Sequence, residues 1–397
     1  NQKDFSNKQI HKKMCVTLLT MHSRYGIMVS KKEKITRRRL PMLAYLKDRA
    51  SHYEIDKFVM ELCEASKYLG TLEGKISSYH FEKILIPLLR KKEAISSMQI
   101  EGTQTTMSEI FEEEIKSQNT IDKTAIEVRN HTKALIAGAE YLRDNPFTHD
   151  FIKEIHQIML DGVISPRLQS SLGKYKTKDN KIVNSANTVI FRPPSHTQTY
   201  DYMDELIEYM NSDDDIHPLI KAAIIHSQFE SIHPFDDGNG RVGRLLISLY
   251  LYKAKLINFP FFYISEAFGQ EKTIYYSKLT DSRNNSFDEW IRFFLKKCVV
   301  QAKIHINYMD SLDALYKRTK AEVQKAINSP KFDAITECLF TRPVLTSMHL
   351  SEDLNVTTVQ AKRYLDILQD IHILQSDDRQ RYKRYFFTEL LDLAHRL

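Results

Sequence analysis

Residues 233–244 read HPFDDGNGRVGR, and this stretch decides how the rest of the chain is interpreted. Gly238, Gly240 and Gly243 spell G-x-G-x-x-G, which occurs in the phosphate loops of dinucleotide-binding folds and of protein kinases. A dinucleotide fold needs a strand before the first glycine, but residues 220–235, IKAAIIHSQFESIHPF, have the periodicity of a helix. A kinase carries V-A-I-K, H-R-D and D-F-G signatures, which this sequence lacks. Both interpretations therefore fail.

What remains is a loop between two helices, whose glycines let backbone amides converge at the start of the second helix. Unpaired N–H groups and the helix dipole make such a start an anion site. Asp237 can supply an oxygen ligand for Mg²⁺, and Arg241 and Arg244, which lie on one helix face, can reach successive phosphates. His233, with an ordinary pKa near 6.5, can accept a proton from an incoming hydroxyl. The stretch therefore predicts phosphate chemistry.

Each of these residues also has an ordinary structural interpretation. A lone histidine is usually a satisfied core or surface residue, and Asp-Asp and G-N-G are common in turns. Their combination within one short loop favours a functional site. A metal hydrolase built on His196, His226 and His233 is an alternative, but the spacing from His226 to His233 is not that of a helical ligand pair, and the sequence has no H-E-x-x-H.

The loop resembles the signature of the Fic family, H-P-F-x-[DE]-G-N-G-R-x-x-R, and every fixed position of that signature is met. The similarity extends from about residue 80 to about residue 300. It includes residues 173–195, which correspond to the family's β-hairpin flap, and the later segments YYSKL and DEWIRFFL. The chain is thus similar to a Fic family protein adenylyltransferase.

The resemblance implies that AMP is transferred from ATP, with Mg²⁺, to a Ser, Thr or Tyr hydroxyl of a target protein or of the enzyme itself. His233 would deprotonate the hydroxyl, Asp237 would hold the metal, and Phe235 would pack inward and anchor the loop. Five residues would bind the phosphates and the leaving pyrophosphate: Gly238, Asn239, Gly240, Arg241 and Arg244. Phosphorylating branches of the family usually alter the second glycine of G-N-G, so the intact Gly240 favours AMP transfer. The flap would orient the target by strand addition.

Residues 97–102, SMQIEG, resemble the inhibitory helix motif [ST]-x-x-x-E-[GN] of the same family, with Ser97, Glu101 and Gly102 at its fixed positions. Alone, the hexapeptide could be an ordinary helix end with Gly102 as a stop signal. The resemblance implies that Glu101 pairs with Arg244, so that ATP binds in a non-productive pose. In some relatives this glutamate helps to hydrolyse the AMP–protein bond, so de-adenylylation stays open as the net activity.

One segment departs from the family pattern. Many relatives have N-R-x-x-Y-Y before the later helix, whereas this chain has EKTIYY, with Glu271 and Lys272 at the first two positions. Tyr275 and Tyr276 keep the rest of the pattern. The residue that supports the nucleotide at this point therefore cannot be carried over from the family.

Few glycines and prolines and a three- to four-residue apolar spacing predict a mainly α fold. We expect a Fic-type helical core with a β-hairpin flap, whose turn lies at KDNK, residues 178–181, plus a C-terminal winged-helix domain. The predicted divisions are an N-terminal helical region at 1–75, a catalytic domain at 76–305, a connector helix at 306–330 and a winged-helix-like domain at 331–397.

The C-terminal segment supports a competing hypothesis, a DNA-binding regulator. Gln360, Lys362 and Arg363 could face a groove, and RQRYKRY, residues 379–385, could form a basic wing. Aspartates between residues 366 and 378 dilute this charge, and winged helices often serve protein contacts. DNA is therefore a partner that the sequence allows but does not favour. Whether the protein forms a homodimer is also left open.

The composition is that of a soluble globular protein. The formal net charge of +6 and the pI near 8.8 make the surface only mildly basic. The four scattered cysteines form no C-x-x-C pair, so we expect reduced thiols and a cytoplasmic location. The longest apolar stretch is interrupted by lysines, so no membrane span or membrane partner is expected.

Overall fold

The computed structural model describes residues 43–77, 82–115, 122–183, 188–283, 286–377, 379 and 382–395. They lie in one compact unit, Met42–Leu397. The part of the predicted N-terminal region that precedes residue 43 lies outside the described residues, as does Cys15. The predicted boundary at 75/76 falls inside a helix, Val59–Ser77, so residues 59–75 are not a separate region.

Most described residues are helical, as the sequence predicts. In chain order the helices are α1 (Leu46–Arg49), α2 (Val59–Ser77), α3 (Glu82–Glu101), α4 (Met107–Glu114), α5 (Lys123–Asp144), α6 (His149–Leu160), α7 (Thr199–Asn211), α8 (Pro218–Ile232), α9 (Asn239–Lys253), α10 (Ser265–Gln270), α11 (Lys272–Asp281), α12 (Asp288–Ala326), α13 (Phe332–Thr341), α14 (Ser347–Leu354), α15 (Thr358–Asp370) and α16 (Thr388–His395). Short 3₁₀ helices lie at Ile55–Lys57, Pro166–Ser171 and His196–Gln198. Strands β1 (Ile182–Val183) and β2 (Val189–Phe191) form one antiparallel pair, and β3 (Val344–Thr346), β4 (Gln375–Ser376) and β5 (Arg384–Phe386) form a second sheet in the order β3-β5-β4.

Helix α8 is the centre of the core, because every residue from Leu219 to Ile232 is buried. A helix that is apolar on nearly all sides must be covered on all sides. It begins at Pro218. A proline is well suited to the first position of a helix, because the backbone N–H that it lacks would have no acceptor within the helix. Trp290 of α12 donates its indole N–H to the carbonyl of Ala223 at 2.7 Å and ties the two helices together. The loop after α8 therefore starts from a rigid support.

Helix α12 corrects one predicted division. The sequence assigns a connector to 306–330, but α12 runs unbroken for 39 residues, from Asp288 to Ala326, across the 305/306 boundary. Its buried stripe continues through that point at Ala302, His305 and Met309. The helix packs on α2, α13 and α16, and α2 reaches past the predicted boundary, where Lys75 pairs with Asp310.

The hairpin is present, but its turn is not at KDNK. In the register, Ile182 faces Phe191 and Val183 faces Val189, so the strands flank residues 184–187, which lie outside the described residues. KDNK precedes β1, and its side chains are engaged elsewhere. Asp179 accepts the backbone N–H of His196 at 2.9 Å, and Asn180 bonds to the loop after α8. A polar run was therefore mistaken for a solvent-exposed turn.

The C-terminal segment has the element order helix, strand, helix, helix and hairpin. Thr357 caps α15 by accepting the N–H of Gln360 at 3.2 Å. The segment contacts α4, where Arg384 of β5 pairs with Glu112 at 2.7 Å. No helix in the described ranges is long and apolar enough to cross a membrane. Within those ranges the cysteines, Cys63, Cys298 and Cys338, are unpaired.

Candidate active site

The loop between α8 and α9 is bounded by two left-handed residues. His233 directly follows α8, with φ 49° and ψ 61°, and Gly238 caps α9, with φ 79°. A Cβ at Gly238 would come within 2.8 Å of Leu160 Cδ1, so both the backbone conformation and the space require glycine there. A histidine in this conformation is strained by about 1–3 kcal/mol, and the surroundings must hold it.

Two residues before β1 hold that conformation. The backbone N–H of Lys176 donates to the carbonyl of Pro234 at 2.7 Å, and its ammonium donates to the carbonyl of Ile232 at 3.0 Å. The ammonium also donates to Asn180 Oδ1 at 3.0 Å. The Asn180 amide in turn donates to the carbonyl of His233 at 2.9 Å. Sequence reasoning missed this clamp, because its partners are backbone carbonyls that leave no trace in the side-chain pattern.

Removing the clamp should weaken the loop. We expect Asn180→Ala to lower the free energy of unfolding by about 1–3 kcal/mol, because the buried carbonyls of His233 and Phe235 lose the donor that they share. Urea unfolding of the variant measures this. Lys181→Ala is the matched control, since Lys181 is exposed and adjacent. Equal stability of the two variants would contradict the assignment.

Phe235 packs inward, as expected, and is fully buried. Its ring stacks on His156 at 3.8 Å between centroids. The Nδ1 atom of His156 accepts the N–H of Gly173 at 3.1 Å, so its Nε2–H donates to the carbonyl of Asp237 at 3.1 Å. Burial lowers the pKa of His156 to about 4, which keeps the ring neutral and this tautomer fixed.

The Asn239 side chain is bonded within the loop. Its side-chain amide donates to the carbonyl of Phe235 at 2.8 Å, and its Oδ1 atom accepts the N–H of Phe235 at 2.8 Å. The side chain is buried, and both its polar atoms are used within the loop. Only the backbone amide of Asn239 is left for a phosphate.

His233 is half-buried beside the predicted phosphate loop. Its Nδ1 atom is buried and lies near the backbone of Glu230 without a hydrogen bond of good geometry in the described residues. Burial, with the charges of Lys176 and Arg283, lowers its pKa to about 4. The imidazole is therefore neutral near pH 7, so it is in the form that accepts a proton. The sequence alone suggested an ordinary pKa near 6.5.

The start of α9 is the predicted anion cradle, because the first N–H groups of a helix, here those of Asn239, Gly240 and Arg241, have no acceptor within it. The Glu101 carboxylate lies against this cradle. A Cβ at Gly240 would collide with Glu101 Oε1 and would lie 2.9 Å from Arg244 Nη1. A negative group therefore already lies at the helix start, where the dipole favours an anion.

Arg244 is the buried partner of that carboxylate, with 1% of its side chain exposed. Its Nη2 donates to Glu101 Oε1 at 2.7 Å and to the carbonyl of Ser97 at 2.9 Å, and its Nε donates to Ser97 Oγ at 3.0 Å. Burial tends to raise the pKa of Glu101, but Arg244 outweighs this and lowers it, so the carboxylate is ionised. Gly102 ends α3 with φ 103°. The structure thus brings Ser97, Glu101, Gly240 and Arg244 together.

Asp237 and Arg241 form a separate pair at the loop. Asp237 Oδ1 accepts the N–H of Gly238 at 2.6 Å and lies 3.3 Å from Arg241 Nη2. Arg241 also lies 3.8 Å from Glu127, and its Nε is buried without a partner in the described residues. Asp237 Oδ2 makes no hydrogen bond or ion pair within the described chain, and the side chain is 44% exposed. One accessible carboxylate beside a phosphate cradle suits Mg²⁺, which takes few protein ligands and keeps phosphate oxygens and waters.

Glu230 is a further carboxyl that sequence reasoning missed. It is buried, its Oε1 atom has no hydrogen-bond partner in the described residues, and a Cβ at Gly243 would collide with that oxygen. Burial raises its pKa to about 7, and the nearby charge of Arg244 opposes the shift. Its only sequence signal was a glutamate inside an otherwise apolar helix.

Glu230 should make the stability depend on pH. From pH 4.5 to about 7, the folded state keeps the proton that the unfolded state has released, so the free energy of unfolding falls as the pH rises. We expect the stability of the wild type relative to Glu230→Gln to fall over this range and then to level off. Urea unfolding of both proteins at several pH values tests this, and a constant difference would contradict the assignment.

The alternative metal hydrolase finds no support. His226 is buried, donates from Nδ1 to the carbonyl of Gly243 at 3.0 Å and accepts from the Tyr275 hydroxyl at 2.9 Å. His196 pairs with Asp179 instead, at 2.8 Å. Among the described residues no cluster of three His, Cys, Asp or Glu side chains is arranged to hold a metal ion.

The segment that departs from the family pattern borders the contact between Glu101 and Arg244. Glu271 pairs with Lys297 at 3.0 Å. Lys272 lies near Glu101, and its positive charge helps to lower the pKa of that carboxyl. Its effect is smaller than those of burial, Arg244 and Arg241. Tyr276 lies beside the last turn of α3, with its hydroxyl 3.5 Å from the carbonyl of Ile100.

Comparison with protein families finds two adjoining matches. Residues 146–251 match the Fic/DOC family, and residues 59–140 match the Fic/DOC family N-terminal region. The first match contains the whole loop, and the second contains residues 97–102. Together they cover α2 to α9 almost without a break.

Curated relatives and solved structures are similar to this chain at low identity. A probable protein adenylyltransferase of Aquifex aeolicus is 26% identical over 226 residues, which cover 51% of this chain and 68% of that protein. A protein adenylyltransferase Fic of Nematostella vectensis is 27% identical over 202 residues, 49% of this chain and 43% of that one. A Fic family protein of Desulfovibrio desulfuricans superposes with a TM-score of 0.51 at 20% identity, covering 82% of this chain and 95% of that one. A Fic domain containing signaling protein of Bacteroides thetaiotaomicron does so at 0.50 and 22%, covering 62% and 97%. The superpositions show the fold alone, and this chain spans less than half of the Nematostella relative.

Proposed function

The chain belongs to the Fic/DOC family, and from that membership and the geometry of the loop we propose that it is a protein adenylyltransferase. It transfers AMP from ATP to a Ser, Thr or Tyr hydroxyl of a target protein or of itself. The observation that carries the proposal is the position of Glu101, whose carboxylate lies against Gly240 and binds Arg244. An anion site next to His233 is therefore already formed, and a side chain of the same protein fills it.

The reaction is a displacement at the α-phosphorus of ATP. The target oxygen attacks phosphorus, the bond from phosphorus to the bridging oxygen of pyrophosphate breaks, and the hydroxyl proton passes to Nε2 of the neutral His233. The amides at the start of α9 stabilise the phosphate charge, and Arg241 and Arg244 hold the leaving pyrophosphate. Such transfers depend on positioning and charge stabilisation, which suits a site built on two buried helices.

Mg²⁺ would be held by Asp237 together with phosphate oxygens of the substrate. When bound, it supplies positive charge that offsets the triphosphate. Asp237 itself keeps the loop closed through Gly238 and orients Arg241, so it contributes to the site without the metal as well.

The structure supports an inhibited resting state. Glu101 occupies the guanidinium that would otherwise bind the γ-phosphate, and Ser97 adds two further contacts to Arg244. Because the carboxylate is ionised and 40% exposed, it is also placed to activate a water molecule. De-adenylylation by the same site is therefore a second candidate activity.

The test uses the full chain and its Glu101→Gly variant with ATP labelled at the α-phosphate and, separately, at the γ-phosphate. AMP transfer leaves protein-bound label from the α position only. Label from the γ position only would indicate a kinase. If neither the wild type nor Glu101→Gly retains label from the α or the γ position, both AMP transfer and phosphate transfer are refuted. Release of label from adenylylated protein by the wild type but not by Glu101→Gly would favour de-adenylylation.

The charges of the C-terminal segment do not favour DNA binding. Lys362 is paired with Asp366 at 3.0 Å, and Arg384 of the expected wing is paired with Asp377 at 2.8 Å and with Glu112. Arg379 lies 3.4 Å from Asp377. These carboxylates offset the cations that phosphate contacts would require. Binding assays across a salt series would reveal DNA binding as a steep loss of affinity with salt.

A further inference from the structure

Three polar residues lie in one line on α3. Glu93, Ser97 and Glu101 are spaced four residues apart, so their side chains share one face of the helix. Ser97 and Glu101 both contact Arg244. Glu93 lies two turns earlier and is only 4% exposed. The proposed reaction does not use this carboxyl, but a carboxyl is seldom buried unless other groups bond to it.

Glu93 is bonded to the first residue of α10. Its Oε2 atom accepts the backbone N–H of Ser265 at 3.2 Å, and its Oε1 atom accepts the Ser265 hydroxyl. Beside this pair, Lys92 lies 3.7 Å from Glu266. Two consecutive residues of α3 thus meet two consecutive residues of α10. The contact of Glu93 with Ser265 is called the α3–α10 joint below.

Helix α10 runs beside α3 from the joint toward Glu101. It begins at Ser265, next to Glu93. Four residues later, Gly269 faces Ile100, because a Cβ at Gly269 would lie 3.7 Å from Ile100 Cγ1. Ile100 directly precedes Glu101. Helix α10 therefore supports the last two turns of α3 at both of their ends.

Helix α10 is itself fixed to the core. Phe268 is fully buried, and its ring stacks on Tyr275 at 4.5 Å between centroids. The backbone N–H of Ala267 donates to Gln301 Oε1 of α12 at 3.0 Å. Because α10 cannot move without breaking these contacts, Glu93 ties α3 to a rigid part of the molecule.

The joint does not require a charged carboxylate. Burial raises the pKa of Glu93 to about 7, whereas Ser265 and Arg244 oppose the shift. A protonated carboxyl can keep both bonds, because the Ser265 hydroxyl can turn to accept its proton. A glutamine amide can bond in the same way. The joint therefore depends on the length and hydrogen-bonding groups of the side chain at position 93.

We propose that Glu93 is a positioning residue for the inhibited state. By holding Ser265, it keeps the last two turns of α3 against α10, so that the Glu101 carboxylate stays on Arg244. Without the joint, the end of α3 opens more often, because the ends of helices unfold locally unless tertiary contacts hold them. The inference rests on the proposed inhibition by Glu101 and adds the residue that fixes its position.

Hydrogen exchange of the full chain tests the joint without ATP. In Glu93→Ala we expect the backbone amides of residues 97–102 to exchange about tenfold faster, because two hydrogen bonds are lost. Ser265→Ala removes only the hydroxyl contact and should have a smaller effect there, and Glu93→Gln should exchange as the wild type does. Glu73→Ala is the matched control. Glu73 of α2 accepts the backbone N–H of Asn258 at 3.1 Å, outside α3 and α10, so its loss should leave residues 97–102 unchanged.

Self-adenylylation gives a readout that structural damage would not reproduce. Glu93→Ala should raise the initial rate by about three- to tenfold while Glu101 is present. In the Glu101→Gly background it should leave the rate unchanged, because no carboxylate remains to be positioned. A substitution that merely weakened the fold would lower the rate in both backgrounds.

Two results would overturn the positioning role. One is wild-type exchange of residues 97–102 in both Glu93→Ala and Ser265→Ala, with thermal unfolding used to check that each variant is folded. The other is an equal change of the transfer rate by Glu93→Ala with and without Glu101. Faster exchange in a protein that transfers no AMP in any variant would refute the proposed function and leave the joint established. Transfer by Glu101→Gly with no faster exchange in Glu93→Ala would do the reverse.

Discussion

Replacing Glu101 with glycine should raise self-adenylylation by about one to two orders of magnitude. The carboxylate makes a charge-assisted contact of 2.7 Å with a fully buried guanidinium, and such a contact contributes about 1.5–3 kcal/mol. It also fills the start of α9, where Gly240 leaves room for a phosphate. Its removal opens the cradle and frees Arg244 at once. Incorporation of α-labelled AMP, measured as an initial rate at saturating ATP, checks the expectation.

A matched control is available on the next helix. Glu114 ends α4 as Glu101 ends α3, and it pairs with Lys91 at 2.9 Å away from the loop. We expect Glu114→Gly to keep the wild-type rate. Ser97→Ala, which removes only the hydroxyl contact to Arg244, should raise the rate less than Glu101→Gly does. If Glu101→Gly and wild type transfer AMP equally fast, autoinhibition through this contact is refuted.

The loss of Glu101 need not unfold the protein, although it leaves a buried arginine without its ion partner. Breaking a buried pair usually costs several kcal/mol, because one charge stays uncompensated. Here Glu101 is 40% exposed, so its removal admits water to the guanidinium. Glu230 lies close enough for its charge to act on Arg244, and its carboxyl is held near half-ionisation at pH 7. Ionisation of Glu230 can therefore replace the missing charge.

The sequence predicted the parts of the site that depend on local, contiguous signals. The residues from His233 to Arg244 lie in one loop and one helix turn, so their spacing alone places them around a single helix start. The contact of Glu101 with Arg244 joins two distant segments, and only the family resemblance suggested it. The helical fold followed from apolar periodicity, and α8 begins and ends within a few residues of the segment 220–235 whose periodicity predicted a helix.

Other features of the site arise from contacts between distant segments, and no pattern in the amino-acid sequence indicates them. Asn180 bonds to backbone carbonyls 53 residues away, and any sequence at those positions would present the same carbonyls. The depressed pKa of His233 arises from desolvation and from Lys176 and Arg283, which the chain brings together only after folding. The connector boundary failed because the buried stripe of α12 continues unbroken through residue 306, at Ala302, His305 and Met309.

Replacing His233 with alanine should lower AMP transfer by about a hundred- to ten-thousandfold while ATP still binds, because in the proposed mechanism the imidazole accepts the proton and does not bind the phosphates. The comparison is best made in the Glu101→Gly background, with ATP affinity measured by titration. His52→Ala is the matched control, since His52 is exposed and lies outside the loop. Persistent transfer by the His233 variant would remove the imidazole from its role.

The pH profile gives the base a second signature that a purely structural histidine would not show. Transfer requires the neutral imidazole, and a pKa lowered to about 4 keeps it neutral well below pH 6.5. The acid limb of kcat/KM, which reports the free enzyme, should therefore fall only as the pH approaches 4. An inflection near 6.5 would mean that water reaches the ring and that Lys176 and Arg283 do not act on it. If the inflection does lie near 4, Lys176→Met should move it to higher pH. Removing a neighbouring positive charge makes the charged imidazolium of His233 less unfavourable and so raises its pKa.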